Sequence, residues 1–170
     1  MKTSKMYFLR LLGILISSLI ILSFPVSALA AEQIEAVHIP ASATATIPDA
    51  SEISENPNYS EGTTMSAFSA NQSVKGGCKI TKLSSSKVEI SGYSVTSPAA
   101  SGLKVSLQLQ AYYNKEWHTL KTAGKSVTGT RVNLSKTYNV TSGYYYRVIA
   151  THSLANGAST TSKTRSIWIG

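Results

Sequence analysis

Between Met65 and Gly170 the carboxylates and imidazoles are few: Glu89, Glu116, His118 and His152, with no Asp. Glycoside hydrolysis needs a positioned pair of carboxylates, and Glu89 and Glu116 fall on different expected strands. A serine nucleophile needs a base and an orienting group, yet no G-x-S-x-G elbow occurs and the serines follow no motif. On a strand Glu116 and His118 would share a face, but a zinc site needs three or four ligands. The inventory points away from catalysis, and neither a cofactor nor a metal is expected.

A binding surface fits the residues better. Gln108, Gln110 and Tyr112 alternate with the apolar Leu107, Leu109 and Ala111, and Tyr145 and Arg147 alternate with Tyr144, Tyr146 and Val148. If these stretches are neighbouring strands, Tyr112, Tyr145 and Arg147 share an outer face. Trp168 joins them if Ile167 and Ile169 face inward; the reverse arrangement buries it. Aromatic rings beside a guanidinium can stack on apolar faces and hold anions. The competing reading is that cross-strand aromatic pairs only stabilise the sheet, with Trp117 and Tyr144 as structural aromatics.

The elements that must position these residues are strands. Leu103, Val105, Leu107, Leu109, Ala111 and Tyr113 alternate with polar residues, the pattern of a half-buried strand. Similar runs span Ser66 to Val74, Cys78 to Leu83 after a Gly76-Gly77 turn, Lys87 to Val95, Glu116 to Lys121, Arg131 to Val140, Gly143 to His152 and Ser159 to Ile169. Asn156-Gly157 reads as a type I′ hairpin turn. No amphipathic helix is visible outside the N-terminal segment. The expectation is an all-β, immunoglobulin-like antiparallel sandwich of about seven strands.

Charge and processing signals divide the chain further. Lys2, Lys5 and Arg10, an apolar run from Leu11 to Phe24 and Ala28-Leu29-Ala30 form a signal-peptide pattern over residues 1–30. Residues 31–64 carry six acids and no Lys or Arg, and Pro40, Pro48 and Pro57 interrupt them. They are expected to be a disordered linker or propeptide. A further reading is a screen lying on the basic part. Residues 65–170 form the expected domain, with thirteen Lys and Arg against two Glu, a net +11.

Tyr144-Tyr145-Tyr146-Arg147-Val148-Ile149-Ala150 resembles the Y-x-φ-R-V-x-A signature (φ apolar) of strand F in fibronectin type III domains. The resemblance implies that Tyr144 is the corner tyrosine and that the last hairpin is F–G. Ser91-Gly92-Tyr93 stands where that family has a Trp in strand B. Residues 66–170 also resemble a family of small secreted proteins of Gram-positive bacteria of unknown function, which implies no activity.

Cys78 is the one cysteine, so no disulfide can close within the chain. It reads as a buried structural thiol, with an intermolecular disulfide as the alternative. No sorting motif or late apolar segment follows the domain, so no membrane anchor is expected after cleavage. The function expected is a secreted, extracellular, non-catalytic module contacting an anionic cell-wall polymer or glycan, or a protein partner. Alternatives are a secreted effector released from its acidic leader and a structural partner in a surface assembly. So basic a domain fits nucleic acid too, but no nucleic-acid-binding motif accompanies the charge.

Overall fold

The computed structural model describes residues 34–69 and 72–170; the expected signal peptide lies outside them. The described chain is all-β, with no α-helix and so no helix long and apolar enough to cross a membrane. Eight strands form one hydrogen-bonded sheet: β1 (Glu35–Val37), β2 (Tyr59–Ser69), β3 (Gln72–Ser84), β4 (Lys87–Tyr113), β5 (Glu116–Val140), β6 (Tyr144–Ser153), β7 (Ser159–Lys163) and β8 (Ile167–Ile169).

Two long strands let this sheet fold over on itself. In β4, even-numbered Val88, Ile90, Gly92, Ser94 and Thr96 are buried, and after residues 97–102 the buried set becomes odd-numbered, Leu103 to Tyr113. A strand's side chains alternate strictly, so this change of parity marks a crossing from one half of the sheet to the other. The ladder with β5 loses register at the same place, where Ala100 pairs Gly129. Before the crossing β4 lies between β3 and the end of β5; after it, between the start of β5 and β6. Val74, Ile80, Val88, Ile90, Leu103, Val105, Leu107, Leu109, Tyr146, Val148, Ile167 and Ile169 fill the space between the halves, each almost wholly buried. Burial of each such aliphatic side chain stabilises by roughly 1.5–3 kcal/mol.

Several expectations need correction. Gly76 and Gly77 do not turn the chain but sit inside β3. A Cβ at Gly76 would lie 2.3 Å from the His152 ring, and one at Gly77 2.8 Å from the Tyr93 ring. The glycines admit rings packed on either face. Ser66 to Val74 is not one strand, since β2 ends at Ser69 and β3 starts at Gln72. Asn114 and Lys115 both have positive φ, 53° and 65°, as a type I′ turn requires. At the other hairpin only Gly157 does, at 88°. There Leu154 N–H donates to Ala158 O and Gly157 N–H to Leu154 O, a three-residue loop with glycine at its left-handed position.

The tyrosine tied back to the preceding crossover is Tyr146, not Tyr144. Its ring is fully buried and its hydroxyl donates to Thr141 O at 2.7 Å, a bond worth about 1 kcal/mol. Tyr144 shares that face, so alternation could not separate the two; it is half-buried, its hydroxyl 3.4 Å from Ala43 O.

Residues 34–64 are not a disordered linker. They form β1, which runs parallel to the end of β5, a 3-10 turn at Ala50–Glu52, and the first half of β2, so the expected boundary at 64/65 falls inside a strand. Proline and the shortage of apolar residues exclude a helix here, but not short edge pairings held by backbone bonds and ion pairs.

Candidate functional site

The outer face of the second half, built by β5, β4, β6 and β8, carries the expected binding residues. The register places Trp117 opposite Tyr112, Tyr112 opposite Tyr145, and Tyr145 opposite Trp168. A row of four aromatic side chains thus crosses four adjacent strands, spanning about 14 Å at the usual strand spacing. Ring centroids lie 4.9 Å apart for Tyr112 and Trp117 and 5.0 Å for Tyr145 and Trp168, both pairs tilted. Ile167 and Ile169 are buried, which turns Trp168 outward at 42% exposure. Tyr112, Tyr145 and Trp117 are half-buried.

Arg147 departs from expectation. It lies on the outer face of β6, as alternation requires, yet is only 8% exposed. Its own sheet covers one side: Nε donates to Gln110 Oε1 at 2.9 Å, and the guanidinium stacks 3.9 Å from the Trp117 ring centroid. Gln110 is held in turn by donating to Thr119 Oγ1. The remaining cover comes from residues 45–54, which lie over this face as a strap. Ala45 bridges Tyr113 at one end, and Ile53 bridges Ser166 at the other, where Ser166 N–H donates to Glu52 O and Ser54 N–H to Ser166 O.

Glu52 is the centre of the cluster. Its Oε1 accepts from Arg147 Nη1 at 2.9 Å and Lys163 Nζ at 3.3 Å, and its Oε2 from Trp117 Nε1 at 3.0 Å. The Trp117 hydrogen bond, with help from Lys163 and Arg147 and against partial burial, holds this carboxyl below the usual range. Burial pushes the Arg147 guanidinium down, opposed by Glu52. Trp117 therefore both packs the sheet and donates to the site. Nothing local in the sequence marks Glu52, whose partners lie 65 to 111 positions away; the one legible signal was the charge asymmetry. The same asymmetry produces the pairs Glu35–Lys121, Glu61–Lys79 and Glu55–Arg165.

The other candidates sort differently. Glu116 is exposed, while His118 stacks on Tyr113 at 3.9 Å with Nε2 against Tyr113 O, so the two do not converge. Among the described residues no three His, Cys, Asp or Glu side chains gather as a metal site would need. His152, fully buried between the halves, contacts Ser94 Oγ through Nδ1 and Ser162 Oγ through Nε2, each at 2.9 Å. Ser162 donates on to Cys78 Sγ, and burial pushes that thiol up. These groups have the types of a Ser–His pair, but packing seals them, and their role is to satisfy one another in the core. On the outer face of the first half, a hollow of about 420 Å³ is lined by Thr63, Gly77, Ser91, Tyr93, Asn133 and Ser135. Its cation, Lys79, already pairs with Glu61.

No protein-family model matches this chain, and none of the curated proteins is significantly similar to it.

Proposed function

We propose that this chain is a secreted, non-catalytic binding module with an immunoglobulin or fibronectin type III-like sandwich fold, and that it holds an anionic polymer or glycan of the cell envelope. The fold reading rests on connectivity: β3, the first part of β4 and the last part of β5 are neighbours, as are the first part of β5, the last part of β4, β6 and β7. That connectivity supports a sandwich whose two central strands swap sheets. Secretion rests on the signal-peptide pattern. The acidic segment is woven into the sheet through β1 and β2, which favours a module that keeps it over an effector activated by its removal.

The observation that carries the binding reading is the alignment of Trp117, Tyr112, Tyr145 and Trp168 beside Arg147 and Lys163 on one face. Aromatic rings offer stacking surface, and the cations offer charge-assisted hydrogen bonds to an anion. Screening shortens from about 8 Å at physiological ionic strength to about 3 Å at 1 M, so the charge-driven part of binding must weaken with salt. Retention of the chain on purified Gram-positive cell wall is expected to fall at least tenfold between 0.05 and 0.5 M NaCl. On wall stripped of its anionic polymers it is expected to be weak at every salt concentration. Equal, salt-independent retention on both walls, or none on either, would refute the reading.

A further inference from the structure

We propose that Arg147, Lys163 and Trp117 form a recognition site for a carboxylate borne by a glycan, and that the Glu52 side chain is its resident stand-in. The inference rests on the binding-module reading and names the ligand group of that same face.

All three donors belong to the sheet, and two of them, Arg147 and Trp117, are held there without the strap, while the half-exposed Lys163 reaches in from β7. Gln110 holds Arg147 Nε, the Trp117 ring lies against the guanidinium, and Thr119 holds Gln110. What the strap supplies is the acceptor. Three donors converge on the two oxygens of one planar carboxylate, Arg147 and Lys163 on Oε1 and Trp117 on Oε2. A donor set so arranged, with one guanidinium almost wholly out of water, is a built carboxylate site, since charge-assisted bonds are the strong ones and become stronger away from solvent.

Glu52 fills the site without being locked into it. Its side chain is 30% exposed, so water reaches the contact. It stands in a three-residue 3-10 turn with no buried residue, and Ile47 of the same strap is 74% exposed. Pro48 is the one buried residue of the strap, and so few buried apolar contacts place the segment toward the low end of local stability. Its main-chain bonds to Ser166 can persist while the carboxylate swings out, so exchange needs a side-chain rotation rather than unfolding. A ligand carboxylate that enters must replace Glu52, and the measured affinity is reduced by the fraction of time the site is closed.

The surroundings select the ligand's other half. The aromatic row starts at Trp117, itself a donor of the site, and continues through Tyr112 and Tyr145 to Trp168. A carboxylate attached to a sugar ring, in a chain of such rings, satisfies both features: its acid group meets the three donors while neighbouring rings lie along the aromatic row.

The test is titration of the chain, wild type and Glu52→Gln, with polygalacturonate and with poly(glycerol phosphate) in 0.15 M NaCl, folding being verified by circular dichroism. Glu52→Gln is expected to bind polygalacturonate about tenfold more tightly than wild type and to gain less for the phosphate polymer. In wild type, ¹³C NMR of the Glu52 carboxyl should show its depressed pKa return toward the ordinary range at saturating polygalacturonate, a readout that needs no variant. Equal polygalacturonate affinity of the two chains, or a Glu52 carboxyl that stays depressed with ligand bound, overturns the stand-in role while leaving the binding module standing. An equal or larger gain for the phosphate polymer overturns the preference for carboxylate. Binding of neither polymer by either chain, together with no retention on cell wall, removes the module reading itself.

Discussion

Lowering the pH from 7 to 4 is expected to remove roughly 3 kcal/mol of stability through His152 alone. Burial drives this imidazole from an ordinary value of 6.5 to about 4, opposed by a hydrogen bond that the ring donates to the Tyr93 backbone. The folded state therefore holds the ring neutral while the unfolded chain takes up a proton near 6.5. Stability from this group is complete above 6.5, falls by about 1.4 kcal/mol for each pH unit down to about 4, and is level below. The structure shows why the neutral form is wanted: a neutral ring donates from one nitrogen and accepts at the other, and since Ser162 gives its proton to Cys78 Sγ it accepts from Nε2–H, which leaves Nδ1 as the acceptor facing Ser94 Oγ. Glu52 adds a loss in the same direction but at lower pH, since its stabilisation is present above the ordinary carboxylate value and fades as the pH falls through its depressed one. Denaturant midpoints at pH 7, 6, 5 and 4.5 measure the slope. His152→Gln should flatten it over this window, and an unchanged slope in that variant would reassign the acid sensitivity to other groups.

The second large effect is steric and meets the same ring from the other sheet half. Gly76→Ala places a methyl group 2.3 Å from the Cγ and Nδ1 positions of His152. The ring cannot step aside, because the two serines hold both nitrogens. Overpacking costs typically about 1–3 kcal/mol, and loss of either serine contact adds about 1 kcal/mol, so a loss of roughly 3 kcal/mol is expected in chemical denaturation. In a His152→Ala background, which empties the space, the same methyl group should cost little or become favourable. Additive losses in that double-mutant cycle would show that the two positions do not meet.

These residues also show where sequence reasoning works and where it stops. The inward sets of β4 and β6 were legible because alternation is a local property of the strand: Leu103 to Tyr113 and Tyr146 to Ala150 face the core as their spacing dictates. Gly76-Gly77 reads as a turn because a glycine required for close packing and one required for a turn look alike in a single chain; the ring that needs the space is Gly76's neighbour only in the folded state. Parity and strand order suffice to place Tyr112, Tyr145, Arg147 and Trp168 on one face of the sheet. The covering of Arg147 was not legible. Glu52 reaches it across 95 positions from a segment whose composition reads as disorder, and ion pairs between distant segments leave no periodic signal. What the composition did carry was a segment of one sign beside a domain of the other.

The site proposed for an anionic glycan is the Arg147 cradle on this face. The most direct measurement is a ¹H–¹⁵N NMR titration of the chain with polygalacturonate, following the two indole N–H resonances, told apart with Trp168→Phe, and the Arg147 Nε–H. The Trp117 indole and Arg147 Nε–H resonances are expected to shift first and farthest, with Trp168 following, while the amides of Gly77 and Tyr93 on the opposite face stay in place. Shifts led by Gly77 and Tyr93, or binding that leaves the Trp117 indole unmoved, would contradict that site.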